Sequence, residues 1–307
     1  MLESLLGRNK VDLAIGRLKS FEPPEGYFLA FSGGKDSQCI YHLAKMAGVK
    51  FDAHYSVTSV DPPELIRFIK EYYPDVQREI PHDKDGKPIT MWNLIPRKHM
   101  PPTRFFRYCC KELKECNGKE RVVLTGVRWA ESLRRKETSG VAKIINPTKK
   151  QAQEGLEIGG KQTNQGGIIF NDDNDENRRM IEQCYRTHKT LVNPIVDWAD
   201  DDVWEFLNEV VKVPHCELYD QGYTRIGCIG CPMSNHASDQ LDRYPKFKAA
   251  YIRAFEKMIA ERQKRGRPTE WKTGEEVMDW WLNGGIKHDN VDNQIHMSDF
   301  LTEDRHG

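Results

Sequence analysis

Residues able to do chemistry fall in two stretches of this chain. The first is Ser32-Gly33-Gly34-Lys35-Asp36-Ser37, which follows the apolar run Tyr27 to Phe31 and precedes Ile40, Leu43, Ala44 and Ala47 at helical spacing. A buried strand, a tight turn and a helix are predicted there. Adjacent glycines let the backbone bend and bring bare N–H groups close to a ligand at the positive end of the helix, which is an anion site suited to phosphate. Ser32 and Ser37 offer hydroxyl donors, Lys35 offers a charge, and Asp36 is expected to cap the helix. The spacing is not that of a Walker A loop.

The second stretch is split. Cys109-Cys110 lies in Arg-Phe-Phe-Arg-Tyr-Cys-Cys-Lys-Glu-Leu-Lys, and Cys228 and Cys231 form a Cys-x-x-Cys loop flanked by Gly227 and Gly230. Four thiolates from two distant segments can converge on one metal centre, whereas the Cys-x-x-Cys pair alone fits a zinc knuckle, a redox dithiol or a cluster. Neighbouring cysteine side chains diverge, and a cubane offers each a separate iron, so a [4Fe–4S] cluster is favoured with zinc as the alternative. Cys116 and Cys216 are candidate substitutes for a ligand. Cys39 reads as a packed core thiol and Cys184 as a loop thiol.

These stretches need a scaffold, and the chain of 307 residues is long enough for a large α/β domain with an appendage. An amphipathic helix is predicted over residues 10–20, after an apolar lead-in at Leu2, Leu5 and Leu6. Strands are predicted at Phe51 to Val57, Val76 to Ile80 and Arg121 to Thr125, with a helix at Pro62 to Tyr73. The alternation implies a doubly wound, mostly parallel sheet with helices on both faces. Residues 140–190, rich in Gln, Asn, Gly, Asp and Lys, read as a long polar excursion on the surface. A helix opened by acids follows at Asp200 to Leu207, then one long basic helix at Asp239 to Arg265 and a short helix at Gly274 to Leu282. The expected organisation is an N-terminal helix at 1–24, a nucleotide-binding core at 25–235, and a helical extension with an acidic tail at 236–307.

Formal charges balance at 46 Lys+Arg against 46 Asp+Glu, yet Arg97 to Lys150 holds fifteen basic residues against five acidic ones. That excess suits an anionic substrate or a nucleic acid. No apolar run is long enough to cross a membrane and the N-terminus lacks a secretory pattern, so a cytoplasmic location with reduced thiols is expected.

Ser-Gly-Gly-Lys-Asp-Ser resembles the pyrophosphate loop of the adenine-nucleotide α-hydrolase superfamily, whose members bind ATP or adenylated sulfate. Further stretches resemble the phosphoadenosine phosphosulfate reductase family: Val60 to Glu64, Arg107 to Lys114, Thr125 to Arg128 running on to Arg135, Pro194 to Trp198 with Asp202 to Trp204, and Leu218 to Pro232. The resemblance implies a nucleotide site that includes Asp61, Glu64 and Gly126, with Arg128 and Arg135 as further phosphate or sulfate contacts. Lys35, Asp36, Arg128 and Arg135 are then the candidate catalytic groups, with Mg²⁺ accompanying the nucleotide. The cysteines resemble those of the cluster-binding, adenylylsulfate-type members.

One departure stands out. Reductases of this family use a nucleophilic cysteine near the C-terminus, and no cysteine follows Cys231 in this sequence. The expectation is therefore an ATP pyrophosphatase that adenylates an acceptor for sulfur transfer, with a nucleic acid or a sulfur-donor protein as partner. A sulfonucleotide reductase with a displaced nucleophile and a non-catalytic nucleotide-binding module of a defence system are the alternatives.

Overall fold

The computed structural model of the chain describes residue 2, residues 9–184 and residues 186–283. The apolar residues Leu5 and Leu6 and the acidic tail from Asp289 to Gly307 lie outside the described residues. The chain forms two compact units, Met1–Thr90 with Cys109–Cys228, and Met91–Tyr108 with Ile229–Gly307.

The first unit opens with α1 (Lys10–Ser20), capped by the Asn9 side chain on the Val11 amide at 2.8 Å, and it buries Val11, Ala14 and Leu18 as its periodicity predicts. Strand β1 (Tyr27–Ala30) leads into α2 (Lys35–Ala47), which ends at Gly48 with φ +69°, the left-handed conformation that lets the chain turn back. β2 (Phe51–Ser56), α3 (Pro63–Tyr72) and β3 (Gln77–Glu79) repeat the unit. The chain then leaves for the second unit, which holds α4 (Met91–Lys98), and after α5 (Tyr108–Leu113) β4 (Val122–Leu124) returns to the sheet on the other side of β1.

The segment expected as a surface excursion is instead part of the sheet. After α6 (Leu133–Thr138), which precedes it, the segment holds β5 (Ala142–Ile144), α7 (Lys149–Glu157), β6 (Lys161–Gln162), β7 (Ile168–Phe170) and α8 (Asp175–Cys184), before β8 (Thr190–Val192). Val141, Ile144, Ile168, Phe170 and Ile181 are buried in the same core as β1 and α2. Short strands separated by polar turns carried too few apolar residues to register as sheet. Cys184, expected in a loop, ends α8 and is fully buried.

Strand order is β3-β2-β1-β4-β8-β5-β7-β6. The first five strands are parallel and the last three antiparallel. From β1 the chain winds outward to β2 and β3 and later to β4, so the topological switch lies between β1 and β4, where ligands of such sheets bind beyond the carboxyl ends. α9 (Asp200–Glu205) continues into one π-helical turn at Phe206–Val210.

In the second unit the predicted single basic helix is two: α10 (Ala237–Arg243) and α11 (Pro245–Lys264), divided where proline removes a donor and starts a new first turn. α12 (Gly274–Leu282) follows. Trp92, Tyr251, Phe255 and Trp281 stack edge-on or tilted at centroid distances of 4.9–6.0 Å to form the aromatic core of this unit.

Candidate functional site

The loop between β1 and α2 is built as the sequence implies, with one correction. The glycine that needs the left-handed region is Gly33, at φ +72°, and a Cβ there would meet Leu65 and Ile69 of α3 at 2.7–2.8 Å. Gly34 is the helix N-cap in extended conformation, with no side chain capping the helix. Asp36 is therefore not the cap. Its carboxylate lies one position inside the first turn and reaches across to Arg128.

Around the turn, Ser37 Oγ donates to the Gly34 carbonyl at 2.8 Å and Ser32 Oγ lies 3.2 Å from Ser37 Oγ. The first-turn amides of Lys35, Asp36 and Ser37 have no carbonyl within the helix to accept them. Lys35 N–H donates to the Tyr219 hydroxyl at 2.9 Å. Beneath the turn Gly126 follows β4, and a Cβ on it would stand 2.9 Å from the Asp36 backbone carbon and oxygen. Only glycine lets β4 end that close to α2.

Four charges meet here. Arg128 is 1% exposed. Its Nε donates to Asp36 Oδ1 at 2.7 Å, its Nη2 to Asp200 Oδ1 at 2.7 Å, and its Nη1 to the Trp198 carbonyl at 3.1 Å. Lys35 Nζ lies 3.1 Å from Asp200 Oδ1 and 3.3 Å from Asp36 Oδ2. Burial alone would raise the Asp200 carboxyl, but Lys35 and Arg128 outweigh it and hold the group below its ordinary value.

Arg135 has a half-exposed side chain with Nε 3.9 Å from Glu131, and Ser132 Oγ caps its helix. Asp61, past the end of β2, accepts from the Thr58 amide at 2.8 Å and the Thr58 hydroxyl at 2.7 Å, closing the turn that precedes α3. Glu64 is in the first turn of α3.

The cysteines divide in two groups. Cys39, Cys184 and Cys216 are fully buried, and burial pushes their thiols up, Cys184 to about 11; Cys116, half-buried, is raised for the same reason. Cys109, Cys110, Cys228 and Cys231 keep partial exposure. Cys228 Sγ lies 3.6 Å from Thr58 Oγ1, and the Lys114 ammonium is stabilised first by Cys228 and also by Asp61 and Cys110, which sets one lysine between the two cysteine segments of the first unit. Cys231 belongs to the second unit, where its carbonyl accepts from the Ser234 amide at 2.8 Å. Among the described residues, which include all eight cysteines, there is no disulfide, and no three His, Cys, Asp or Glu side chains are grouped to hold a metal ion. No described helix is long and apolar enough to cross a membrane.

Sequence reasoning missed Asp200, Trp198 and Tyr219 as parts of this site. Asp200 read only as an acid favourable to a helix dipole, and Tyr219 had no signal beyond its place in the Leu218 to Pro232 stretch.

A glycine loop between β1 and α2, at the switch point of a doubly wound sheet, defines a nucleotide-binding α/β protein of the PP-loop type. A family model described as the phosphoadenosine phosphosulfate reductase domain matches residues 26–234, and the chain belongs to that family. An uncharacterized protein of Methanocaldococcus jannaschii is 27% identical over 239 residues, 75% of this chain and 46% of that protein. An adenosine 5'-phosphosulfate reductase of Staphylococcus haemolyticus is 23% identical over 220 residues, 68% of this chain and 70% of that enzyme. That of Oceanobacillus iheyensis is 38% identical over 63 residues, a quarter of its length. The chain thus spans less than half of the Methanocaldococcus protein. Among solved structures, the phosphoadenylyl-sulfate reductase of Candida auris superposes with a TM-score of 0.42 at 14% identity, covering 73% of this chain and 90% of that one.

Proposed function

We propose that this chain binds ATP at the Ser32–Ser37 loop and adenylates an acceptor oxygen, releasing pyrophosphate so that sulfur can then displace AMP. The observation that carries this reading is the state of the thiols. Reduction of a sulfonucleotide needs a thiolate that reaches the sulfate sulfur, and every cysteine outside the Cys109, Cys110, Cys228 and Cys231 set is held protonated by burial. Attack at the α-phosphorus asks less of the protein. The acceptor oxygen forms a bond to that phosphorus, the bond to the β-phosphate oxygen breaks, and the loop amides and Lys35 hold the departing pyrophosphate. Mg²⁺ enters with the nucleotide. Arg128 anchors Asp36 beneath the turn, and Arg135 is the cation available further out.

The same reading assigns a [4Fe–4S] cluster, with zinc as the alternative, to Cys109, Cys110, Cys228 and Cys231. Support comes from donor chemistry, four sulfurs that keep partial exposure on two segments of the sequence. The sulfur acceptor falls in the class of nucleic acids, and a sulfur-donor protein is the expected partner.

Two measurements test this. Pyrophosphate release from ATP is followed with tRNA and DNA as acceptors, and intact mass is taken after incubation with adenylylsulfate and phosphoadenylylsulfate. Release that depends on acceptor, with no sulfite-sized addition to any cysteine, is expected. A covalent addition would establish the reductase reading instead. Anaerobically purified protein should contain iron and sulfide that are lost in Cys109→Ser and Cys228→Ser; zinc alone would overturn the cluster.

A further inference from the structure

The Ser32–Ser37 loop carries a contradiction in its charges. A pyrophosphate site needs a positive excess, yet Lys35 and Arg128 are matched one for one by Asp36 and Asp200. Either the site repels its own ligand or one carboxylate leaves.

The two acids are not equivalent. The Asp36 side chain is 28% exposed and bound to α2 next to the turn, whereas that of Asp200 is 64% exposed at the first position of α9. Asp200 also uses a single oxygen, Oδ1, to take donors from both cations, at 2.7 Å from Arg128 Nη2 and 3.1 Å from Lys35 Nζ. One anionic oxygen shared by a guanidinium and an ammonium is the arrangement a phosphate oxygen would adopt. Solvent is open to the rest of the Asp200 side chain, so its departure needs a rotamer change and leaves no buried charge unpaired, because Asp36 still holds Arg128.

We propose that Asp200 is a built-in substitute for a phosphate oxygen, which occupies Lys35 and Arg128 in the empty site and gives them up when pyrophosphate or a nucleotide arrives. In the empty state it keeps a fully buried guanidinium compensated. In the bound state its displacement lowers affinity by a constant factor, so a ligand must engage several donors at once to compete. The site thereby discriminates against lone small anions. The proposal rests on the loop being the phosphate site.

Isothermal titration with pyrophosphate, first without Mg²⁺, tests it on Asp200→Asn, Asp200→Ala and Asp200→Glu, with the neighbouring exposed Asp201→Asn as control. The charge-removing variants should bind about two- to fivefold more tightly than wild type. Asp200→Glu and Asp201→Asn should bind as wild type does. A residue that merely supports the fold would lower the melting temperature without tightening any ligand. If wild type binds and the charge-removing variants bind equally or more weakly, the proposal is overturned while the loop reading stands. If they bind MgATP more weakly, Asp200 holds the metal instead and the proposal also falls. If wild type binds neither pyrophosphate nor ATP, the loop reading itself is wrong. A second measurement does not depend on variants that fold: a crystal structure of the wild type with pyrophosphate should show the Asp200 carboxylate beyond hydrogen-bond distance of Lys35 and Arg128, and its retention there would refute the exchange.

Discussion

A guanidinium with 1% of its surface in solvent persists only where acceptors surround it, and Arg128 has three: Asp36, Asp200 and the Trp198 carbonyl. Arg128→Met keeps the volume but strips Asp36 of its main partner at the base of the Ser32–Ser37 turn. The expected cost is about 3 kcal/mol, the low end for a broken buried pair because Asp200 can turn to solvent. Urea unfolding of the variant measures it; a loss under about 1 kcal/mol would mean that the ion pairs contribute little. Gly126 sets a second constraint at the same spot. Gly126→Ala places a methyl 2.9 Å from the Asp36 backbone, so the first turn of α2 must shift. Stability should fall by about 1–3 kcal/mol as for other overpacked sites. If the turn holds pyrophosphate as proposed, affinity should fall well beyond what the residual folded fraction explains, and unaltered affinity would detach the turn from binding. Neither dependence was legible residue by residue: glycine in a line of sequence does not say what approaches it, and Arg128 gave no hint of which carboxylates it would meet.

At the scale of elements the sequence was most informative where apolar residues run long enough to show a period. β1, α2, β2, α3 and β4 each lie within a residue or two of expectation, because each buries a continuous face. The region 140–190 defeated the same reasoning. β5, β6 and β7 are two or three residues each: β6 and β7 form a short antiparallel hairpin, and β5 pairs antiparallel with the sequence-distant β7 and β8, so strands this short are decided by hydrogen bonding to their neighbours rather than by local apolar pattern. Composition saw the polar turns and missed the few buried residues between them. The split at Pro245 was visible in principle, since proline at a first helical turn marks a start. Phe170 tests the corrected view: it is 1% exposed on β7 and lies in the core shared with β1 and α2. Phe170→Ala should cost about 3–5 kcal/mol, as a large buried side chain does. A chemical-denaturation loss under about 1 kcal/mol, ordinary for a surface loop, would restore the excursion.

For the molecule as a whole, the titrating groups that folding perturbs define a window of pH in which it is most stable. On the acid side His42 acts first. Burial and the nearby Lys45 lower it from 6.5 to about 4 in the fold, where its Nε2 lies 3.1 Å from the Tyr73 hydroxyl. Because the unfolded chain takes up this proton first, stability is full above 6.5 and declines as pH falls from 6.5 toward 4. His99, lowered by burial and by Arg265, Arg267 and Arg262, adds in the same direction. Below the ordinary carboxyl value of 3.8 a second decline follows. At Asp52, Asp200 and Asp202 burial is outweighed by Arg121 with His54, by Lys35 with Arg128, and by Lys10 respectively, so all three are depressed and their contribution is lost as they protonate. On the alkaline side the raised groups set the limit. Cys39, Cys116, Cys184 and Cys216 are neutral in the fold above 9.0 while their unfolded counterparts ionise, and Tyr27, Tyr55 and Tyr219 do the same above 10.0, so stability falls there. Lys143 and Lys189, lowered by burial, oppose this only near their own ordinary value of 10.5. The denaturation midpoint measured across pH should therefore be flat between about 6.5 and 9, with the first acid decline reduced in His42→Gln. A midpoint that stays flat down to pH 4 in the wild type would show that His42 titrates as it does in water, and with it that the packing of α2 against Tyr73 is looser than the geometry states.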